Sequence, residues 1–284
     1  MTVKRVGIVG SGLMGSGIAE CAARSGHEVV LRSRRTETAD SMLAGLEKSL
    51  AKQVEKEKLS EDDRQSTLSR LTTTSDLRDL AECDLVIESI VEDLAAKKHV
   101  FLELDRICGE STILATNTST LPVIELAMET GRPDRVCGIH FFNPAPVMSL
   151  VEIVRSLTSD DATIASAKAF AEACGKTAVE VKDQAGFIVN ALLFPYLNNA
   201  VKLLDAGVAT REDIDAAMKG GCNFPMGPLE LLDLVGLDTS LAIIEALYAE
   251  FRDPNYAAMP LLRRMVSADL LGRKSGKGFY DYHR

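Results

Sequence analysis

The feature that most constrains this chain is a glycine-rich turn set between a strand and a helix. Residues 3–9 form an apolar run around two charges and read as a strand. Gly10-Ser11-Gly12-Leu13-Met14-Gly15 follows, and residues 18–24 continue as a small-residue helix before Gly26. Gly10 permits the tight turn, Gly12 lets a backbone approach a pyrophosphate, and Gly15 lets helix and strand pack closely. The helix N-terminus adds amide donors and the positive end of its dipole. A second strand at Glu28–Arg32 stands at the spacing a βαβ unit requires. We therefore expect Gly10, Gly12, Leu13, Met14 and Gly15 to cradle a dinucleotide. A glycine-rich turn packed for its own sake is the competing reading.

The alternation continues through the first half of the chain. Strand-like runs at 83–88, 113–116, 136–140, 150–154 and 177–181 alternate with helical patterns at 94–108, 122–130 and 161–174, the signature of a parallel sheet with crossover helices. Residues 36–70 are long and charged, with apolar residues at Met42, Leu43, Leu46, Leu50 and Val54, which predicts one or two amphipathic helices inserted into that pattern. From Phe187 onward every long segment has helical period. Thr210, with Asp213 three residues on, reads as a helix cap. The expected fold is α/β: a Rossmann-type, doubly wound, mostly parallel sheet in residues 1–184, then an all-helical C-terminal domain in 185–284 that forms the substrate cleft and the dimer contact.

Charge and composition exclude several classes. Lys plus Arg is 32 against 41 Asp plus Glu, for a net charge of −9, which repels a phosphate backbone and argues against nucleic acid. The longest charge-free stretch, residues 184–201, carries Asn190, Pro195, Asn198 and Asn199, unlike a lipid-facing helix. The six cysteines are scattered with no CxxC pair or Cys/His cluster, so neither a metal site nor a disulfide framework is expected. A strand beginning at residue 3 leaves no room for a targeting leader, and reduced thiols fit a cytoplasmic protein.

The end of the second strand bears on the cofactor. Dinucleotide folds that bind the adenosine ribose place an acid there, whereas this chain reads Arg32-Ser33-Arg34-Arg35. A carboxylate at that point would repel a 2′-phosphate; serine flanked by arginines can bind one through charge-assisted hydrogen bonds. The expectation is NADP(H) in preference to NAD(H), with Arg32, Ser33 and Arg34 as contacts, unless these arginines are simply solvated loop charges.

Several longer motifs accompany the turn: Asn117-Thr118-Ser119-Thr120, His140-Phe141-Phe142-Asn143-Pro144-Ala145-Pro146-Val147-Met148, Leu150-Val151-Glu152, residues 183–190, Met226-Gly227-Pro228 and the terminal 272–280. Together, and in this order, they resemble the 3-hydroxyacyl-CoA dehydrogenase family from end to end, most of all its short bacterial members. Ser33 is the one departure, because NAD-using members have Asp there. The resemblance implies reversible oxidation of a short (S)-3-hydroxyacyl-CoA to its 3-oxoacyl-CoA, foremost the C4 pair 3-hydroxybutyryl-CoA and acetoacetyl-CoA, by a homodimer. It makes His140 the general acid or base and Glu152 its partner, and sets Ser119 and Asn190 near the reacting oxygen. Glu92, Lys97, Asn117, Ser119, Asn143 and Lys274 match cofactor- or substrate-contacting positions, and Ser49 and Lys56 match positions that touch coenzyme A.

The residues themselves point the same way. Oxidising a secondary alcohol requires removal of the hydroxyl proton, and histidine suits that transfer near neutral pH. Of four histidines only His140 ends a strand, where ligands of open α/β sheets bind. Glu152, on the next strand, can steady the imidazole or serve as a salt-bridge carboxylate. Ser119 can orient the substrate oxygen or cap the helix before Pro122. Lys48, Lys52 and Lys56 form one basic stripe on a helix, with Ser49 beside it: a landing place for the phosphates of an acyl-CoA, or a solvated face balanced by Glu47, Glu55 and Glu57. Two other readings remain at this point: the same scaffold acting on a free hydroxy acid or sugar acid, which leaves the stripe without work, and a non-catalytic nucleotide-binding module, which leaves His140, Ser119, Glu152 and Asn190 unexplained.

Overall fold

A computed structural model describes residues 2–283; Met1 and Arg284, the outer limits of the two expected domains, lie outside the described residues. The chain divides into two compact units, Met1–Asp183 and Gln184–Arg284.

The first unit runs β1 (Arg5–Val9), α1 (Leu13–Arg24), β2 (Glu28–Arg32), α2 (Thr36–Glu55), α3 (Glu61–Ser69), β3 (Leu71–Thr74), β4 (Leu85–Glu88), α4 (Leu94–Ile107), β5 (Ile113–Thr116), α5 (Val123–Ala127), β6 (Val136–Phe141), β7 (Leu150–Arg155), α6 (Asp161–Ala173) and β8 (Thr177–Lys182). The strands form one sheet in the order β3-β2-β1-β4-β5-β6-β7-β8. Neighbours run parallel except β6 and β7, which are antiparallel. This is the doubly wound arrangement that the alternation implies, extended by two strands. Each residue of β4, β5 and β6 is buried, as befits strands covered on both faces. Val6, Ile8, Leu31, Leu85, Ile87, Ile139 and Ile153 belong to its core.

Two local features depart from the sequence reading, and a third decides between its one-helix and two-helix alternatives. Helix α1 starts at Leu13, so Gly15 and Gly17 lie inside it and not in the turn. Packing overrides helix propensity here: a Cβ on Gly15 would stand 2.2 Å from the Gly10 carbonyl oxygen. Strand β3 is absent from the sequence reading, because Leu71-Thr72-Thr73-Thr74 is a four-residue edge strand with a single buried apolar residue and merges into the polar run before it. The 36–70 segment resolves into two helices broken at 56–60, where Ser60 Oγ accepts from Asp63 N at 3.0 Å and caps α3.

The second unit holds α7 (Val189–Asp205), α8 (Arg211–Cys222), α9 (Pro228–Val235), α10 (Leu237–Phe251) and α11 (Pro260–Ser267), and no named strand among its described residues. Leu197, Leu229, Leu232, Leu247 and Leu262 fill its core. Thr210 caps α8: its Oγ1 accepts from Asp213 N at 3.2 Å and donates to Asp213 Oδ2 at 2.7 Å. Two buried acids hold the terminal segment. Asp215 accepts from Leu229 N, Glu230 N and the Tyr280 hydroxyl, while Asp233 accepts from Phe279 N, Tyr280 N and the Tyr282 hydroxyl. Among the described residues no helix is long and apolar enough to cross a membrane.

Candidate active site

The C-terminal ends of β1, β2, β4, β5 and β6 bring the expected residues of the first unit to one edge of the sheet. At β1, Gly10 has φ +136°, and a Cβ there would lie 2.2 Å from the Ser89 carbonyl oxygen; only glycine fits. Gly12 differs, since a Cβ on it would meet nothing within 4 Å. It is the N-cap of α1, no side chain caps that end, and the first turn carries no acid. The leading amides are thus bare and electropositive beside an open glycine, an arrangement suited to an anion. Leu13 is 77% exposed over this turn and Met14 packs on the core. A groove of about 450 Å³ runs past Gly12, Leu13, Ser16, Ser49, Ala145 and Pro146.

At the end of β2, Ser33 is 3% exposed and its N–H donates to the Thr74 carbonyl at 3.0 Å. Arg32 Nε donates to the Ser75 carbonyl at 3.4 Å. Burial, and then the charge of Arg34, holds the Arg32 guanidinium below its usual value. Among the described residues none of Arg32, Arg34 and Arg35 is in an ion pair with an acid. The corner is rich in positive charge, with Asp76 and Glu103 acting on Arg32 from a distance.

At the end of β6 stands His140, 3% exposed. Because β7 runs antiparallel, His140 and Glu152 are register partners, and cross-strand partners project from the same face. His140 Nδ1 lies 2.8 Å from Glu152 Oε2, and Nε2 lies 3.1 Å from Ser119 Oγ. A carboxylate oxygen only accepts, so Nδ1 carries the proton and Nε2 is left to receive one. The Phe142 ring packs on the imidazole at 4.5 Å between centroids. Ser119 does not cap α5; the Val123 and Ile124 amides donate instead to Asp183, at 3.0 and 2.8 Å.

The other expected residues fall into groups. Asn117 braces the site: its Oδ1 accepts from Phe141 N at 2.8 Å and its Nδ2 donates to Ser89 Oγ at 3.4 Å. Lys97 is buried, with Nζ 2.7 Å from Glu88 Oε1 and 3.3 Å from Glu92 Oε2. Glu92 Oε1 accepts from Thr118 Oγ1, Ser119 N and Thr120 N. Asn143 is exposed in the segment after β6. On α2, Lys48, Ser49 and Lys52 are exposed; Lys56 lies just past the last helical residue, and its N–H still donates to Lys52 O at 3.2 Å, which continues the stripe. Asn190 and Lys274 belong to the second unit. Asn190 is buried in the first turn of α7, and Lys274 pairs with Asp238.

Sequence reasoning missed Glu88, which accepts from Lys97 Nζ, Ile90 N and Thr116 Oγ1. A signal existed: Leu85-Val86-Ile87-Glu88 is an apolar strand that ends in an acid at the ligand-binding edge. Among the described residues no cluster of three or more His, Cys, Asp or Glu is placed to hold a metal ion.

With this geometry in hand, comparison with known proteins is informative. Residues 5–184 match the 3-hydroxyacyl-CoA dehydrogenase NAD binding domain, and residues 186–282 match the 3-hydroxyacyl-CoA dehydrogenase C-terminal domain. A 3-hydroxybutyryl-CoA dehydrogenase of Mycobacterium tuberculosis is 48% identical over 286 residues, covering 99% of both chains. One from Clostridioides difficile is 47% identical over 280 residues, covering 99% of this chain and 100% of that one. The crystal structure of (S)-3-hydroxybutyryl-CoA dehydrogenase from Ralstonia eutropha superposes with a TM-score of 0.97 at 44% identity, covering 100% of each chain.

Proposed function

Because this chain belongs to the 3-hydroxyacyl-CoA dehydrogenase family, we propose that it interconverts a short (S)-3-hydroxyacyl-CoA and the matching 3-oxoacyl-CoA, with the 3-hydroxybutyryl-CoA/acetoacetyl-CoA pair preferred. The observation that carries this reading is the buried His140, bonded at one nitrogen to Glu152 and at the other to Ser119. The bare, glycine-lined start of α1 suits a dinucleotide's pyrophosphate. When bound, a nicotinamide cofactor supplies the ring that accepts or donates hydride.

The chain's own residues handle the proton. In the oxidative direction His140 Nε2 takes the proton of the 3-hydroxyl, and Glu152 stabilises the resulting imidazolium through Nδ1–H. In reduction His140 returns the proton to the 3-oxo oxygen. Ser119 holds that oxygen in line with Nε2. An assay of acetoacetyl-CoA reduction, followed by consumption of reduced nicotinamide, tests the reading; absence of turnover with either cofactor overturns it.

Within this activity we assign NADP(H) as the preferred cofactor, NAD(H) being the weaker one. The support is the corner after β2, with a buried serine where an acid would repel a 2′-phosphate and three arginines around it that form no close ion pair among the described residues. The expected kcat/KM favours NADPH about tenfold or more, and a tenfold preference for NADH overturns the assignment. Coenzyme A is proposed to lie along α2, where the Lys48–Lys52–Lys56 stripe adjoins Ser49 in the groove. Neutralising Lys52 and Lys56 together should raise KM for acetoacetyl-CoA about tenfold and leave a thioester lacking the nucleotide unaffected. Equal effects on both substrates would favour a free hydroxy acid.

The second unit exposes Ile188, Leu192, Leu203, Val208, Phe224 and Leu234, which supports a homodimer built on its apolar surface. Light scattering should return twice the chain mass. The free cysteines support work in the reducing cytoplasm.

A further inference from the structure

Glu88 has no role in the mechanism above, yet it is as enclosed as Glu152. It is 0% exposed at the last position of β4, in register with Thr116 of β5. Its Oε1 accepts from Lys97 Nζ at 2.7 Å and Ile90 N at 2.6 Å, and its Oε2 from Thr116 Oγ1 at 2.7 Å. Such a carboxylate is held fast, since each of its oxygens is bonded to a donor and none of the side chain reaches solvent. Lys97, 1% exposed, turns its remaining positive field on Glu92 Oε2 at 3.3 Å.

Glu92 is of another kind, with a side chain 40% exposed. Its position follows from what pulls on it. Lys97 holds one oxygen; the other accepts from Thr118 Oγ1 at 2.5 Å, Ser119 N at 2.8 Å and Thr120 N at 3.3 Å. Ser119 then presents Oγ to His140 Nε2 at 3.1 Å. Taken in order, the contacts form a chain from Glu88 through Lys97 and Glu92 to Ser119 and the imidazole.

We propose that Glu88 is a positioning residue for proton transfer: it fixes Lys97, which fixes Glu92, which sets the 118–120 backbone and thereby the distance of Ser119 Oγ from His140. The inference rests on the dehydrogenase reading. Among the described residues Glu88 and Glu92 are the acids paired with Lys97. Without the Glu88 charge, the buried ammonium draws the Glu92 carboxylate inward, off the three donors at 118–120, and Ser119 Oγ loses its register with Nε2.

Glu88→Gln tests this, because it keeps the shape and an amide oxygen for Ile90 N–H, lets its NH2 donate to the Thr116 hydroxyl, and removes the charge. The expected loss is roughly ten- to hundredfold in kcat, with KM for acetoacetyl-CoA unchanged within about twofold. In the double variant with Ser119→Ala, kcat should be no lower than in Ser119→Ala alone, since both changes break the same link. On the ligand-free protein, the His140 ring signals in a ¹H–¹⁵N spectrum should move as they do in Ser119→Ala, while those of His27 stay in place. Full kcat in Glu88→Gln, multiplicative losses in the double variant, or an unmoved His140 signal would each overturn the proposal. Should Glu88→Gln fail to fold, Glu92→Ala at the exposed end of the chain carries the same expectations for the double variant and the spectrum. Absence of turnover in the unaltered protein would count against the dehydrogenase reading alone, because the ligand-free spectra still report whether Glu88 is coupled to His140.

Discussion

Both units bury acids, but they satisfy them with different partners. In the sheet unit, Glu152 meets an imidazole and Glu88 an ammonium. In the helical unit, Asp215 and Asp233 each meet two main-chain amides and a tyrosine hydroxyl. Amides and tyrosines hold their protons near neutral pH, so the second pair ties segments together. A histidine can give its proton up and take it back. Burial therefore does not separate an acid paired with an imidazole or an ammonium from one held by amides and hydroxyls; the partner does.

That contrast is open to breakage. The largest effect should come from His140→Ala, which is expected to lower kcat by about a thousandfold or more while the cofactor dissociation constant, read by nicotinamide fluorescence, changes little. Near-normal kcat would remove His140 from the chemistry. Glu152→Gln keeps the shape and loses the charge that steadies the imidazolium; kcat should fall roughly a hundredfold or more, again at nearly constant cofactor affinity.

Asp233→Asn is the matching change in the helical unit. It should leave kcat within about twofold and cost about 1–3 kcal/mol, from amides left without an acceptor, seen as a drop of several degrees in Tm. The pH dependence sharpens this. Burial holds the Asp233 carboxyl above its usual value, so its folded form takes up a proton more readily than its unfolded form. The stability tied to that protonation is fully present below the unfolded carboxyl value and is lost as pH rises through the folded one. The stability gap between the unaltered protein and Asp233→Asn should therefore widen from about pH 7 towards about pH 4; a gap that narrows would contradict the assignment. The smallest effect concerns thiols. Burial pushes Cys83, Cys137 and Cys174 up to about 12 and Cys21 and Cys108 to about 11, whereas Cys222 at the end of α8 is exposed. A colorimetric thiol titration of the native protein should find one fast-reacting group per chain, and its loss in Cys222→Ser would identify it.

What was legible in the sequence was mostly local. The glycine turn reads from consecutive residues, although only Gly15 is crowded from within the strand–turn–helix unit, by the Gly10 carbonyl; Gly10 is crowded by Ser89 and Gly12 by nothing within 4 Å. Thr210 and Asp213 are three positions apart and meet across a single helical turn. His140 and Glu152 are legible as types, but their pairing depends on β7 running antiparallel, and a run of apolar residues does not state its direction. Asp183 caps a helix sixty positions earlier, which displaced the reading of Ser119 as that cap. Glu88 and Lys97 meet only because a strand end and the following helix turn toward each other. Strand β3 was too short and too polar to stand out, and only pairing with β2 makes it a strand.

The antiparallel ladder of β6 and β7 has a last consequence. Side chains on a strand alternate between faces, so the meeting of His140 with Glu152 is a matter of odd and even. Gaining or losing one residue inside either strand would send the acid to the far side of the sheet and part it from the imidazole. The hairpin tip, where Val147, Met148 and Ser149 are exposed, carries no such parity. A lineage can lengthen or rebuild that tip, and retune whatever it touches, while the His140–Glu152 pairing beneath it is inherited intact.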